Sequence, residues 1–169
     1  MKKIILIGII IAAFSAWIAQ APALGDTIFV GSSDGNVMQL NDELQFSAYN
    51  DTGGNAAHLA ISDNAVQLYC ARPSSREIVI LNAVTLAKVK TINTRNEISD
   101  LMFKNSVLYV LESGFSGRLL VISDASQDIT AEIEVGGGDK LLISPDDATA
   151  YVIDKTSKKV TAVDLAAKT

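Results

Sequence analysis

The chain has 169 residues, 49% of them hydrophobic and 20% charged, with 19 acidic residues against 14 basic ones and a formal net charge of −5. This composition is globular rather than disordered or collagen-like, and the length suits one domain. The acidic balance argues against nucleic acid as a partner, since nonspecific binding needs a basic footprint, and against an anionic membrane surface.

The chain opens with Met1-Lys2-Lys3, an almost wholly apolar run from Ile4 to Ala19, and then small residues. That is the three-part layout of a secretory signal, with lysines held on the cytoplasmic side and small residues where signal peptidase grips an extended strand. Residues 1–25 are therefore expected to form a signal peptide, its apolar run a helix. Cleavage at Ala23-Leu24-Gly25 would fall before Asp26. Cleavage at Ala19-Gln20-Ala21 would fall before Pro22, where proline obstructs the peptidase. The alternative is an uncleaved anchor, although the run is slightly short for a span of about 20 residues. Membrane contact is expected only through this segment. Loss of residues 1–25 removes the only tryptophan, Trp17, and leaves 12 basic and 19 acidic residues, a charge of −7. The expected location is exported: periplasmic, extracellular or at the cell surface.

From Asp26 onward the sequence repeats. Thr27-Ile28-Phe29-Val30, Gln67-Leu68-Tyr69-Cys70, Val107-Leu108-Tyr109-Val110 and Thr149-Ala150-Tyr151-Val152 align without gaps, with the aromatic spaced by 40, 40 and 42 residues. Each segment leads into a polar turn: 32–36, 73–76, 113–117 and 155–158. An apolar strand follows each turn, at 37–41, 78–82, 119–123 and 160–164. A further strand follows in the first three repeats, at 44–48, 87–92 and 129–135. A strand precedes the aromatic segment in the last three, at 59–62, 101–104 and 141–144. Short strands at this period are the signature of a propeller blade, whereas a β-sandwich would not hold four aromatics in phase. The expected fold is all-β: propeller blades of four antiparallel strands, about 3.5 repeats, bounded roughly at 26–55, 56–97, 98–138 and 139–169. The count is 14 strands, because the first repeat lacks its first strand and the last lacks its fourth.

The last repeat reads Ile143-Ser144-Pro145-Asp146-Asp147, then Ala150-Tyr151-Val152, then Val160-Thr161-Ala162-Val163-Asp164, with Val135-Gly136-Gly137-Gly138 ahead of it. It resembles the YVTN-type β-propeller repeat of bacterial periplasmic and archaeal surface proteins. The resemblance covers nearly all of residues 26–169. It departs in lacking glycine after Asp146 and in losing Ser-Pro-Asp from repeats two and three. It implies a ring of about seven blades, of which this chain supplies about half. Three closures follow: two copies completing one propeller as a homodimer, one small four-bladed ring, or a piece of a longer propeller.

The chemistry in the sequence is sparse. Counting back four from the strand-ending residues Ser62, Lys104 and Ser144 gives His58, Asp100 and Lys140, a base, an acid and an amine at one rim. They are candidates for a small-ligand or ion site, with solvated rim residues or mutual charge compensation as the plain reading. No metal-ligand cluster is legible, and no cofactor is expected. Gly136-Gly137-Gly138-Asp139-Lys140 lacks the spacing of a phosphate loop and reads as an inter-blade turn. Gly114-Phe115-Ser116-Gly117 is not a nucleophile elbow, because Arg118 stands where a glycine is needed. Asp146 and Asp147 are expected to face water. Cys70, the only cysteine, reads as a small buried hydrophobe. Asn50-Asp51-Thr52 is a glycosylation acceptor pattern in an exported chain. The leading expectation is a noncatalytic binding protein whose rim loops contact a protein, a glycan or a small ligand. The rival is a propeller subunit similar to those of periplasmic quinoprotein amine dehydrogenases, with its cofactor on a partner chain.

Overall fold

The computed structural model describes residues 27–41 and 43–167, together with the backbone of 10–11, 14–15 and 18–21. Two compact units divide the chain, residues 1–93 and 94–169. Among the described residues every regular element is a strand except one short 3-10 turn at Pro73–Ser75.

In the first unit a short hairpin pairs β1 (Ile10–Ile11) with β2 (Phe14–Ser15). A four-stranded antiparallel meander then follows, made of β3 (Ile18–Ala21), β4 (Thr27–Gly31), β5 (Asn36–Leu40) and β6 (Phe46–Asp51). A second meander holds β7 (His58–Ile61), β8 (Gln67–Arg72), β9 (Glu77–Asn82) and β10 (Lys88–Asn93). The second unit carries a third meander, of β11 (Ile98–Lys104), β12 (Val107–Glu112), β13 (Arg118–Ser123) and β14 (Ile129–Glu134). Its last sheet has three strands: β15 (Lys140–Ile143), β16 (Thr149–Asp154) and β17 (Lys159–Asp164).

These four sheets are the four expected blades, with one correction. The first blade has its first strand, supplied by Ile18–Ala21, which pairs with Thr27–Val30. The blades therefore hold 15 strands among the described residues rather than 14. At residues 10–11, 14–15 and 18–21 the expected signal helix is strand instead. Ile18-Ala19-Gln20-Ala21 is long enough to pair with its neighbour, and pairing satisfies backbone groups at the edge of β4. Both proposed cleavage points touch residues 22–26, which lie outside the described residues. Cleavage before Asp26 would remove β3, so these four residues cannot serve both roles in one molecule.

Burial follows strand position. The central strands β8 and β9 are buried at all four middle positions, and their sequences Leu68-Tyr69-Cys70-Ala71 and Ile78-Val79-Ile80-Leu81 are continuous apolar runs. Strands covered on both faces read in this way, whereas the outer β6 and β14 are mostly open and mix polar with apolar residues. The in-phase aromatics occupy one register position, each central to its blade's second strand. Phe29 pairs across to Gln39, Tyr69 to Ile80, Tyr109 to Val121 and Tyr151 to Ala162.

Each unit has its own core. Phe29 and Val37 of the first blade pack with Leu68, Cys70, Val79 and Leu81 of the second. Tyr109, Leu111 and Leu119 of the third pack with Leu141, Ala150, Val152 and Val163 of the fourth. In each of these two pairs the aromatic of the earlier blade, Phe29 or Tyr109, lies on the face that meets the later one.

Antiparallel order sends successive turns to alternate ends of a blade. One end carries the turns between second and third strands and the connections between blades. These connections change allegiance midway. The Ala56 amide donates to Ser32 of the first blade (3.0 Å) and the next amide, Ala57, to Ala71 of the second (3.1 Å). In the second unit Gly137 donates back to Gly117 (3.2 Å), while Asp139 donates forward to Ile153 (2.7 Å). The opposite end holds the first turns. There Asn105 and Ser106 (φ 49° and 62°) close a two-residue hairpin with both central residues left-handed.

Candidate functional site

The three rim candidates occupy one register position in three blades. His58 pairs with Ala71, Asp100 with Leu111 and Lys140 with Ile153, each two residues beyond the blade's aromatic. His58 opens β7 in the first unit and is half-buried. Asp100 and Lys140 come together in the second unit, with Oδ2 and Nζ 3.4 Å apart. Asp100 also accepts the amide of Leu141 (3.1 Å) and, through Oδ1, that of Leu101 (3.1 Å). This carboxylate ties β11 to β15 and faces an amine that is more open to solvent.

Beneath the same end lies a buried ionic cluster that sequence reading passed over. The Arg118 guanidinium grips Glu112 with two parallel hydrogen bonds, Nε to Oε2 and Nη2 to Oε1, both 2.8 Å. The side chains are 3% and 0% exposed. Glu112 also accepts the backbone amides of Arg95 (2.8 Å) and Asn96 (3.4 Å), and Arg118 reaches Glu132 with its remaining nitrogen. Burial pushes the Glu112 carboxyl up, but the Arg118 hydrogen bond, the two amides and the Arg118 charge together hold it below the usual carboxylate range. Hydrogen bonding to Glu112 raises Arg118 against its own burial. The second blade has the reversed pair, Arg72 with Glu77 at 2.8 Å. In the fourth, Asp154 lies across from Lys159. A cation and an anion flanking the second turn, five or six residues apart, was a signal available in the sequence.

At the opposite end Lys104 pairs with Asp147 and donates to the Ser144 carbonyl (2.6 Å), while Asn105 also binds Asp147. This corrects the expectation that both acids of Asp146–Asp147 face water: Asp147 clamps the third blade to the fourth. Asp146 accepts the Ser144 hydroxyl (2.6 Å), which holds its pKa below the usual value. The second blade builds the same turn without proline. Ser62 bonds Asn64 (2.7 Å), the Gln67 amide donates to the Ser62 hydroxyl (3.0 Å), and Ala65 takes φ 55° where Asp147 takes 61°. The Ser-Pro-Asp turn is conserved in chemistry where it is lost in letters.

The other sequence candidates take structural places. Gly136, Gly137 and Gly138 form the expected inter-blade turn, with Gly137 packed backbone to backbone on Gly114 and Gly117. Asn50 is half-buried on β6, and the Thr52 hydroxyl donates to the carbonyl of Gly35 (2.8 Å). Cys70 is fully buried, and burial pushes its thiol up to about 12. A thiol reagent is therefore expected to label Cys70 in urea and to leave the native protein unmodified over hours at pH 8; fast native labelling would contradict this burial. Among the described residues no cluster of three His, Cys, Asp or Glu side chains could hold a metal, and no helix is long and apolar enough to cross a membrane. Among the exposed large apolar side chains of the described residues, Phe115 at the tip of the 113–117 turn is the most open, fully exposed to solvent.

No protein-family model and no curated protein sequence matches the chain. Solved structures do. The hydrazine synthase of Kuenenia stuttgartiensis superposes with a TM-score of 0.81 at 19% identity, over 89% of this chain and 46% of that one. The dihydro-haem d1 dehydrogenase NirN superposes with a TM-score of 0.78 at 18% identity, over 93% of this chain and 36% of that one. The fold is a β-propeller. At such identities the likeness carries architecture alone. The chain spans less than half the length of either structure.

Proposed function

We propose that the chain is an exported, noncatalytic β-propeller module that binds another protein, a glycan or a small ligand through the loops at the connecting end of its blades. The observation that carries this reading is the contrast at that end of the second unit. Glu112 with Arg118 and Asp100 with Lys140 are engaged in holding strands, while Phe115 projects into solvent from the turn that Glu112 and Arg118 flank. A rigid base presenting an aromatic tip is the arrangement of an interface anchor. The N-terminal layout and the YVTN-type resemblance support export and a periplasmic or surface location.

Amide chemical shifts read during titration with monosaccharides, short peptides and small anions test this. Shifts are expected to concentrate at 113–117 and 135–140. For any ligand so found, Phe115→Ala is expected to weaken binding about tenfold or more. Unchanged binding by both Phe115→Ala and the Asp100→Asn/Lys140→Met pair would remove this end as the site. Sequencing the N-terminus of the secreted chain tests export and distinguishes Asp26, Pro22 and Met1 as its start.

A second reading is a propeller subunit of a periplasmic dehydrogenase-like enzyme. It is favoured by one observation: both superposed structures carry enzyme names and extend well beyond the part that this chain matches. Such a subunit would co-purify with a cofactor-bearing chain and bring that cofactor's visible absorbance with it.

A further inference from the structure

Gly117, at the close of the Phe115 turn, accepts the amides of Val135 and Gly137 (both 3.2 Å), so the connection between the third and fourth blades starts on that turn. Two residues on, Asp139 donates its amide to Ile153 (2.7 Å) and accepts the Lys155 amide on Oδ2 (2.7 Å). The 113–117 and 155–158 turns are therefore tied to the two ends of one short stretch of backbone, residues 135–139. Together they form a strip at the connecting end of the second unit.

The second of these turns runs against the acidic balance of the chain. Three of the 14 basic residues, Lys155, Lys158 and Lys159, fall within five positions, and all three are exposed. The acids beside them, Asp139 and Asp154, turn their carboxylates to the backbone. Asp154 accepts the amides of Thr156 (2.8 Å) and Ser157 (3.0 Å) and the Ser157 hydroxyl (2.6 Å), and Asp139 the Lys155 amide. An incoming group meets the amines first. It finds no open amides at 155–157 to cradle it, because the two carboxylates have taken them, so the turn does not suit a compact anion such as phosphate.

We propose that this strip binds an acidic, extended segment of another protein, with an apolar side chain of the segment against Phe115 and its carboxylates against Lys155, Lys158 and Lys159. This rests on the binding role proposed above for the same end and names the chemistry of its partner. Flexible lysine stems let each amine follow a carboxylate of such a segment. Phe115 has no hydroxyl or N–H to offer a sugar and suits a leucine or phenylalanine. Two further exposed acids stand at the Phe115 side of the strip: Glu97, whose carbonyl accepts the Ser113 amide (2.8 Å), and Glu134, across from Arg118. A flat anionic surface would be pressed against both. A segment can instead set its apolar residue there and its acids at the lysine turn.

The test is titration of the full chain with the blocked peptide Glu-Glu-Glu-Gly-Leu-Gly-Glu-Glu-Glu, which reads the same in either direction, followed by amide chemical shifts. Saturable shifts are expected at 113–117, 135–140 and 155–159. Raising the salt from about 20 to 200 mM is expected to weaken binding several-fold, since the paired charges are exposed. Lys155→Glu/Lys158→Glu is expected to weaken it about tenfold or more, and Lys155→Arg/Lys158→Arg to restore most of that loss. Absence of a saturable shift with this peptide, or binding that survives the glutamate pair, would overturn the acidic-segment inference. Tighter binding to a heparin tetrasaccharide or to phosphatidylserine vesicles would overturn it too, in favour of that anion. If monosaccharides, uncharged peptides or small anions still shift 113–117, the broader binding role stands without it, whereas silence at this end with every probe removes both.

Discussion

Glu112→Ala is expected to destabilise the protein by about 3–5 kcal/mol, the range for removing one partner of a buried ion pair. The loss comes from what is left behind. Arg118, 3% exposed, would keep its charge without the two hydrogen bonds that now satisfy Nε and Nη2. The amides of Arg95 and Asn96 would lose their acceptor in the same step. Glu112→Met with Arg118→Met should recover the part of the loss that comes from Arg118's charge, while the amides of Arg95 and Asn96 stay without their acceptor. Glu132, 41% exposed, would be the counter-ion left to Arg118. Urea unfolding of the two variants gives the comparison, and equal losses would show that Arg118's charge carries none of the loss.

The same pair sets a pH dependence. The Glu112 carboxyl is held below its ordinary value in the folded protein. Its contribution is therefore fully present above the unfolded pKa, about 4.5, and is lost as pH falls through the lower folded value. In Glu112→Gln that acid-side slope should flatten while stability near neutrality drops. An unchanged slope would place the acid sensitivity elsewhere.

Gly137→Ala is expected to cost about 2–5 kcal/mol, from left-handed strain of about 1–2 kcal/mol and overpacking of about 1–3 kcal/mol. Gly137 has φ 77°, and a Cβ there would stand 2.1 Å from the Gly114 carbonyl oxygen, a backbone atom that cannot swing aside. Gly136 is the internal control, since it has φ 75° with nothing within 4 Å of a Cβ. Gly136→Ala should then cost about 1–2 kcal/mol, the strain alone. The difference between their unfolding midpoints isolates the close approach, and equal effects would show that the loops part to admit a methyl group.

The repeat was legible because the aromatic takes the same register position in each blade's second strand. Phe29, Tyr69, Tyr109 and Tyr151 are the same position seen four times, and spacing alone recovered it. The first strand of the first blade was hidden for the opposite reason. Ile18–Ala21 sits at the end of an apolar run that also reads as a membrane-entering helix, and composition cannot separate the two. In the first blade the fourth strand begins at Phe46, not Leu44, because Leu44 takes φ 60° in the preceding turn. At the rim, counting placed Asp100 and Lys140 in equivalent positions, but only the structure shows the carboxylate bonded to the Leu141 amide. The role of Asp147 was missed because its partners, Lys104 and Asn105, are more than forty residues away.

The connections that change allegiance midway have a consequence for how such chains are made and remade. At Ala56–Ala57 and around Gly138 the backbone stops bonding to one blade and starts bonding to the next. A splice at either point leaves the backbone hydrogen bonds of those connections in place, and the first costs the bond from Arg72 Nη2 to the Gly53 carbonyl (2.7 Å). These are the seams at which gene duplication could add a blade, recombination could exchange one, or an engineer could graft one from another propeller.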